Sequence, residues 1–251
     1  MQILYYLWTI WSFFIAFVLL IILFPILFVG VLVIPKSRRN MLYVLPHLYS
    51  RVCLFCLGVR LEEREREKID FSQQHIYIFN HTSNLDPLIS AKVVGTKAKF
   101  LGKAEILAYP VFGFTLRHLY VPVRRQDAND RLRSLEDLTN AIEKGDSLII
   151  YPEGTRNNGP ELLADFHKGA FQLSLETGVP IAMFTCPNSY ALMRGNSWVL
   201  RPGKLLGVWD GPYFPNDFLP DRIEDYKAFL KEKMYRRMLE QYPSGVLGKE
   251  A

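Results

Sequence analysis

The sequence predicts an α/β fold: a mainly parallel sheet flanked by helices, joined to an N-terminal membrane helical segment. Three observations predict it. From residue 75 onward, short apolar runs alternate with helical periodicities, the pattern of βα units that build a parallel sheet. Residues 1–35 contain no charged side chain. Residues 1–60 carry Lys36, Arg38, Arg39, Arg51 and Arg60 but no Asp or Glu. The chain has 30 basic and 25 acidic residues, a net charge of +5, so those five account for the whole excess. A basic imbalance beside an apolar terminus points to anionic lipid and away from nucleic acid. The expected division is a membrane-anchoring segment, 1–60, and an α/β domain, 61–251.

Taken in order, residues 1–35 would make roughly 50 Å of helix, against a hydrocarbon core of about 30 Å. Pro25 and Gly30 permit a break. The run suits a kinked span, a tilted span or a re-entrant hairpin, and the expectation leans to a kinked or re-entrant segment. No basic n-region or small-residue cleavage site marks a signal peptide. Lys36-Ser37-Arg38-Arg39 marks a cytoplasmic end by the positive-inside rule. Residues 41–60 suit a helix at the interface or in the core. Cys53 and Cys56 form a CxxC pattern without a second ligand pair, which reads as structural. The run Glu62–Lys68 mixes charges and reads as solvated surface.

Strands are expected at 75–79, 97–101, 119–123, 147–151 and 179–184, with a further one at 205–209. Helices are expected at 88–94, 104–118 (broken at Pro110), 128–144, 166–177 and 219–241.

The chemistry gathers at strand ends. Phe79-Asn80-His81-Thr82-Ser83-Asn84-Leu85-Asp86-Pro87 follows the first strand of the domain. Pro87 suits the first position of the next helix and Asp86 its N-cap. On one continuous helix, residues five apart diverge by about 140°. His81 and Asp86 therefore meet only if His81 sits in a loop and Asp86 opens the helix. A second cluster, Tyr151-Pro152-Glu153-Gly154-Thr155-Arg156, follows the strand at 147–151. Ligands bind at the carboxyl ends of strands in such sheets, so both clusters share one rim. Gly154 allows close backbone approach, and Arg156 offers a planar fork suited to phosphate. Arg124-Arg125 and His167-Lys168-Gly169 add basic groups at other element ends.

Asn80-His81-x4-Asp86, followed about seventy residues later by Glu153-Gly154-Thr155-Arg156, resembles two signature motifs of the glycerolipid acyltransferases. The closest likeness is to the 1-acylglycerol-3-phosphate acyltransferases. It runs from about 75 to 185 in the family's order. Phe100–Glu105, Phe166–Phe171 and Val179-Pro180-Ile181 resemble further segments, and Arg124 falls where the second motif has its arginine. Leu119–Arg124 departs from that motif: Pro122 and Val123 stand where a small residue and an aspartate are usual.

The resemblance implies a glycerolipid acyltransferase-like fold. It also implies acyl transfer from a thioester to the free sn-2 hydroxyl of 1-acylglycerol 3-phosphate, giving phosphatidic acid. An alcohol needs a base to take its proton as it attacks, and imidazole titrates in a suitable range. His81 is the expected base, with Asp86 fixing its tautomer and stabilising the imidazolium. No GxSxG elbow or nearby cysteine suggests an acyl-enzyme. The substrate-binding set implied is Arg124, Glu153, Gly154, Thr155 and Arg156, with Lys103 and Lys168 as candidates for phosphate or coenzyme A contacts. No metal or cofactor is expected; acyl-CoA or acyl-carrier protein would be the donor. The expected partners are membrane lipid and a lysophospholipid acceptor, with the catalytic domain on the cytoplasmic face. The competing readings are an acyltransferase for another lysolipid and a non-catalytic membrane protein that binds anionic lipid.

Overall fold

The computed structural model describes residues 2–35, 43–95, 97–108, 113, 116–123, 128–218 and 222–247. Helices α1 (Gln2–Val33) and α2 (Val44–Cys56) come first. Then follow β1 (Val59–Arg64), β2 (Ile76–Phe79), α3 (Asp86–Val94), β3 (Ala98–Lys103), β4 (Tyr120–Val123), α4 (Ala128–Glu143) and β5 (Ser147–Ile150). The chain continues through α5 (Gly169–Thr177), β6 (Ile181–Thr185), α6 (Ser189–Leu192), β7 (Gly203–Tyr213) and α7 (Ile223–Leu239).

Seven strands form one sheet in the order β1-β7-β6-β2-β5-β3-β4. Only the β6–β7 pairing is antiparallel. Strands β2, β5 and β6 are buried on both faces, and this explains their unbroken apolar composition. Their side chains sort by parity. Ile76, Ile78, Leu148, Ile150, Ile181 and Met183 join a core with α4, α5 and α7. Tyr77, Phe79, Ile149, Ala182 and Phe184 join a second core with α2 and α3. Helices therefore cover both sides of the sheet.

That layering positions the site. The chain leaves β2 for α3 on one face, and leaves the neighbouring β5 for α5 on the other. Loops that diverge in this way from adjacent parallel strands open a crevice at their carboxyl ends.

Three expectations are corrected. Helix α1 runs unbroken through Pro25. Its 32 residues span roughly 48 Å, and no hairpin turn interrupts them. One stripe of α1 docks on the domain. Thr9 and Ser12 are buried near its start, and Leu27 and Val31 near its end. Trp8 Nε1 donates to the Leu57 carbonyl at 3.2 Å, and Tyr49 donates to the Ala16 carbonyl at 3.3 Å. Its outer face, with Ile3, Leu7, Ile10, Phe14, Phe17 and Ile21, is exposed.

The charge run at 62–68 is not mere surface. Its first half belongs to β1, which pairs in parallel with β7 from Val59 opposite Gly203 to Arg64 opposite Val208. An edge strand has one unpaired side and carries charges outward, so its sequence hides its pairing. The boundary expected at residue 60 falls inside this strand.

Finally, Leu85, not Asp86, holds the cap position of α3. Asp86 is the first helical residue and Pro87 the second, with no side-chain cap. The remaining elements lie within a few residues of expectation, except that β7 is longer than its predicted core. The segment around Pro110 lies largely outside the described residues.

Candidate active site

The loop between β2 and α3 is built around the Asp86 carboxylate. One oxygen, Oδ2, accepts from the backbone N–H of Thr82 and of Ser83, each at 2.8 Å. The same oxygen lies 2.9 Å from His81 Nδ1. Acceptance by an anionic carboxylate assigns the proton of that contact to Nδ1. Nε2 then carries the lone pair, and it has no partner among the described residues. The His81 side chain is 16% exposed and that of Asp86 4%. The imidazole thus reaches the crevice while its carboxylate stays inside. The ring stacks on Tyr151 with centroids 4.3 Å apart, and Tyr151 hydroxyl meets Ser90 Oγ at 2.7 Å. Ring and carboxylate together fix the imidazole in both tilt and rotation.

Asn80 secures the base of the loop. Its amide accepts from Cys186 N–H at 2.7 Å and donates to the Cys186 carbonyl at 3.1 Å, joining the ends of β2 and β6.

Glu153 follows β5 and is 2% exposed. Its Oε1 accepts from His81 N–H at 2.6 Å and its Oε2 from Ala164 N–H at 2.9 Å. Burial, opposed by those two backbone donors, pushes its carboxyl up to about 7. Glu153 was expected at the acceptor; in the structure both of its oxygens accept backbone N–H groups. It is a positioning residue that pins the His81 loop to the 152–164 segment. Asn157 N–H donates to the His81 carbonyl at 2.7 Å from the same segment.

Gly154 has φ +71°, the left-handed region that favours glycine, and it closes a turn onto the Tyr151 carbonyl. Thr155 and Arg156 are exposed and precede Asn157, whose N–H holds the His81 carbonyl. Arg156 Nη1 donates to Asn84 Oδ1. Asn84 is held in turn: its amide donates to the carbonyls of Arg194 at 3.2 Å and Ser197 at 2.9 Å. Gly195 N–H donates to the Thr82 carbonyl, so residues 193–197 form a strap over the loop. A Cβ at Gly195 would come within 2.6 Å of Asn158 Oδ1. Lys168 is exposed at the cap of α5, and His167 N–H donates to the Pro152 carbonyl, tying that corner to the Glu153 segment. Arg124 and the Lys103 side chain lie outside the described residues; the Lys103 backbone ends β3.

Sequence reasoning missed Asn84 and the strap. Asn84 stood inside the quoted motif, but nothing in the chain's pattern pairs it with carbonyls some 110 residues away. The site as a whole offers one oriented imidazole with an open nitrogen, backed by a buried anion and flanked by a guanidinium. It can remove a proton from a hydroxyl and hold a phosphate nearby.

A family model described as Acyltransferase matches residues 60–186, about half the chain. A 1-acyl-sn-glycerol-3-phosphate acyltransferase of Limnanthes alba is 26% identical over 207 residues, covering 81% of this chain and 72% of that protein. One from Haemophilus influenzae is 27% identical over 189 residues, covering 73% and 76%. The crystal structure of the 1-acyl-sn-glycerophosphate (LPA) acyltransferase PlsC from Thermotoga maritima superposes with a TM-score of 0.82. That match is 22% identical and covers 96% of this chain and 98% of that one. With the matched segment running from β1 to just past β6, and the His81–Asp86 and Glu153–Arg156 clusters both inside it, the chain belongs to the acyltransferase family.

Proposed function

We propose that this enzyme transfers a fatty acyl group from an acyl thioester to the sn-2 hydroxyl of 1-acylglycerol 3-phosphate, yielding phosphatidic acid. The observation that carries the reading is the 2.9 Å contact of His81 Nδ1 with Asp86, which leaves Nε2 open to the crevice. Nε2 takes the proton of the acceptor hydroxyl as its oxygen attacks the thioester carbonyl. The tetrahedral intermediate then collapses with loss of the thiolate, which takes up a proton. Asp86 stabilises the imidazolium formed in between. Arg156, aimed by Asn84, holds the acceptor phosphate, and Thr155 and Gly154 line its approach. Lys168 stands at the same rim for a phosphate of the acceptor or of the donor, acyl-CoA or acyl-carrier protein. The relatives named above support the choice of acceptor.

The acceptor and product are lipids of one leaflet, whereas the donor is water-soluble. The exposed apolar face of α1 supports embedding along that face, with the inner stripe held by the domain. The basic excess of residues 36–60 supports the cytoplasmic leaflet, at about 1 kcal/mol per side chain near an anionic surface.

The test is turnover of purified enzyme with labelled acyl-CoA and a panel of lysolipids. Lysophosphatidate should be the preferred acceptor. The His81→Ala variant should lose roughly 10²–10⁴-fold in kcat. Near-normal turnover in that variant would sink the mechanism. Preference for a lysolipid without a phosphate monoester would move the acceptor assignment elsewhere.

A further inference from the structure

Both main-chain groups of His81 are held from one loop. The Asn157 N–H donates to the His81 carbonyl at 2.7 Å. The His81 N–H donates to Glu153 Oε1 at 2.6 Å, and the Ala164 N–H donates to Oε2 of the same carboxylate at 2.9 Å. The two grips therefore stand at the two ends of the segment 157–164. Between them the segment folds on itself. Asn157 Nδ2 donates to the Glu161 carbonyl at 2.8 Å, and the Gly159 N–H donates to Asn157 Oδ1 at 3.0 Å. No helix or strand runs through it, so its place depends on what holds its middle.

The stretch after α7 does that. The Tyr242 N–H donates to the Met238 carbonyl, and Gly245 closes a turn by donating to the Tyr242 carbonyl, each at 3.0 Å. Gly245 has φ +76°, where glycine is favoured, and a Cβ there would come within 2.9 Å of the Tyr235 hydroxyl. The turn delivers Val246 into an antiparallel bridge with Glu161, and the Leu247 N–H donates to the Pro160 carbonyl at 2.7 Å. The Leu247 side chain is 1% exposed and joins the core that also holds Leu162 and Leu163. A buried leucine with its N–H bonded is a fixed point, not a fraying end. It lies outside residues 60–186, which carry the family match.

We propose that Leu247 is a positioning residue for the reaction: it clamps the 157–164 loop, and through that loop it fixes the His81 main chain at the crevice. Asp86 and Tyr151 set the rotation and tilt of the imidazole. The clamp sets the point from which the side chain springs. A base displaced by about 1 Å can cost on the order of 10²-fold in rate. The inference rests on the reading of His81 as the base, and not on which lysolipid is acylated.

The experiment measures turnover, thermal stability and amide hydrogen exchange of the full-length enzyme in detergent micelles. Leu247→Ala removes the buried side chain, and Leu247→Pro removes the N–H donor. Each should lower kcat roughly tenfold with the acyl-donor KM unchanged. Each should also speed exchange at the Asn157 and Ala164 amides. Leu247→Met refills the site and should restore turnover to within about twofold of wild type. Ile142→Ala empties a part of the same core at the end of α4, ahead of β5. It should lower thermal stability and leave kcat unchanged. The proposal is overturned if both Leu247 variants keep wild-type kcat while His81→Ala loses it. It is overturned equally if Ile142→Ala, at the same drop in Tm, slows turnover as much, which would mean general loosening. Slower turnover in the Leu247 variants without faster exchange at Asn157 and Ala164 would also overturn it, since the loop would not be the route. Normal turnover in His81→Ala would instead remove the base assignment, and this role with it.

Discussion

Replacing Glu153 by Gln separates a positioning role from an acceptor-binding one. The wild-type carboxyl accepts two backbone N–H groups from opposite sides. A glutamine offers one oxygen and one NH2, so one buried N–H loses its acceptor, at a cost of roughly 1–3 kcal/mol. The wild type carries a different burden. Its folded carboxyl is raised from 4.5 to about 7. A raised carboxyl favours the folded state while protonated, so that contribution is present below about pH 4.5 and lost as pH rises through 7. The loss amounts to about 3 kcal/mol in all. At pH 5 the variant should therefore be less stable than wild type by roughly 1–3 kcal/mol, and by pH 8 the gap should close or reverse. Unfolding in urea across this range measures it. Steady-state kinetics supply the second readout: kcat should fall as the His81 loop loosens, with little change in the acceptor KM. A stability gap that stays constant or widens with pH would refute the buried-carboxylate reasoning. A selective rise in acceptor KM at unchanged kcat would return Glu153 to the acceptor.

Other outcomes follow from the same geometry. Asp86→Asn keeps an acceptor for the loop amides but removes the charge behind the imidazole; kcat should fall by about 10²–10⁴-fold with folding retained, as circular dichroism and turnover will show. Arg156→Lys keeps charge but loses the planar fork, so the acceptor KM should rise more than the donor KM. Asn84→Ala should reproduce that bias, and the double variant should be less than additive, because Asn84 acts through Arg156. Removing residues 1–35 should weaken attachment, lower activity on detergent-dispersed acceptor because Leu200 N–H loses Thr9, and lower activity on bilayer-borne acceptor further still. With α1 docked along the domain, a Gln2→Cys label in a background lacking the three native cysteines should react with an impermeant reagent only from the domain's side. Reaction only from the opposite side would mean a span.

The sequence disclosed most where burial and covalent spacing left few choices. Strands β2, β5 and β6 were legible because a strand buried on both faces must be apolar throughout. The His81–Asp86 pair was legible because five residues can bring those side chains together only across a loop-to-helix junction. Edge strand β1 was not legible, since its charged outward positions look like a surface loop. The two backbone bonds of Glu153 were not legible for a related reason: a carboxylate in a motif looks the same whether it faces a ligand or two backbone amides. The strap at 193–197 bears on Asn84 through its own carbonyls, which every residue has, so no side-chain pattern announces it.

Helix α1 meets two solvents at once. On its inner stripe, Thr9 Oγ1 accepts from Leu200 N–H at 2.9 Å and Ser12 is fully enclosed. On its outer face, any apolar side chain of similar bulk would serve. Hydropathy alone would rank Thr9→Leu as an improvement in a membrane helix. Here it would strand a buried amide next to the strap that aims Asn84 at Arg156. Drift along this helix is therefore expected to be free on one side and nearly frozen on the other, and an anchor exchanged for another of equal hydrophobicity would hold the membrane yet lose the active site's alignment.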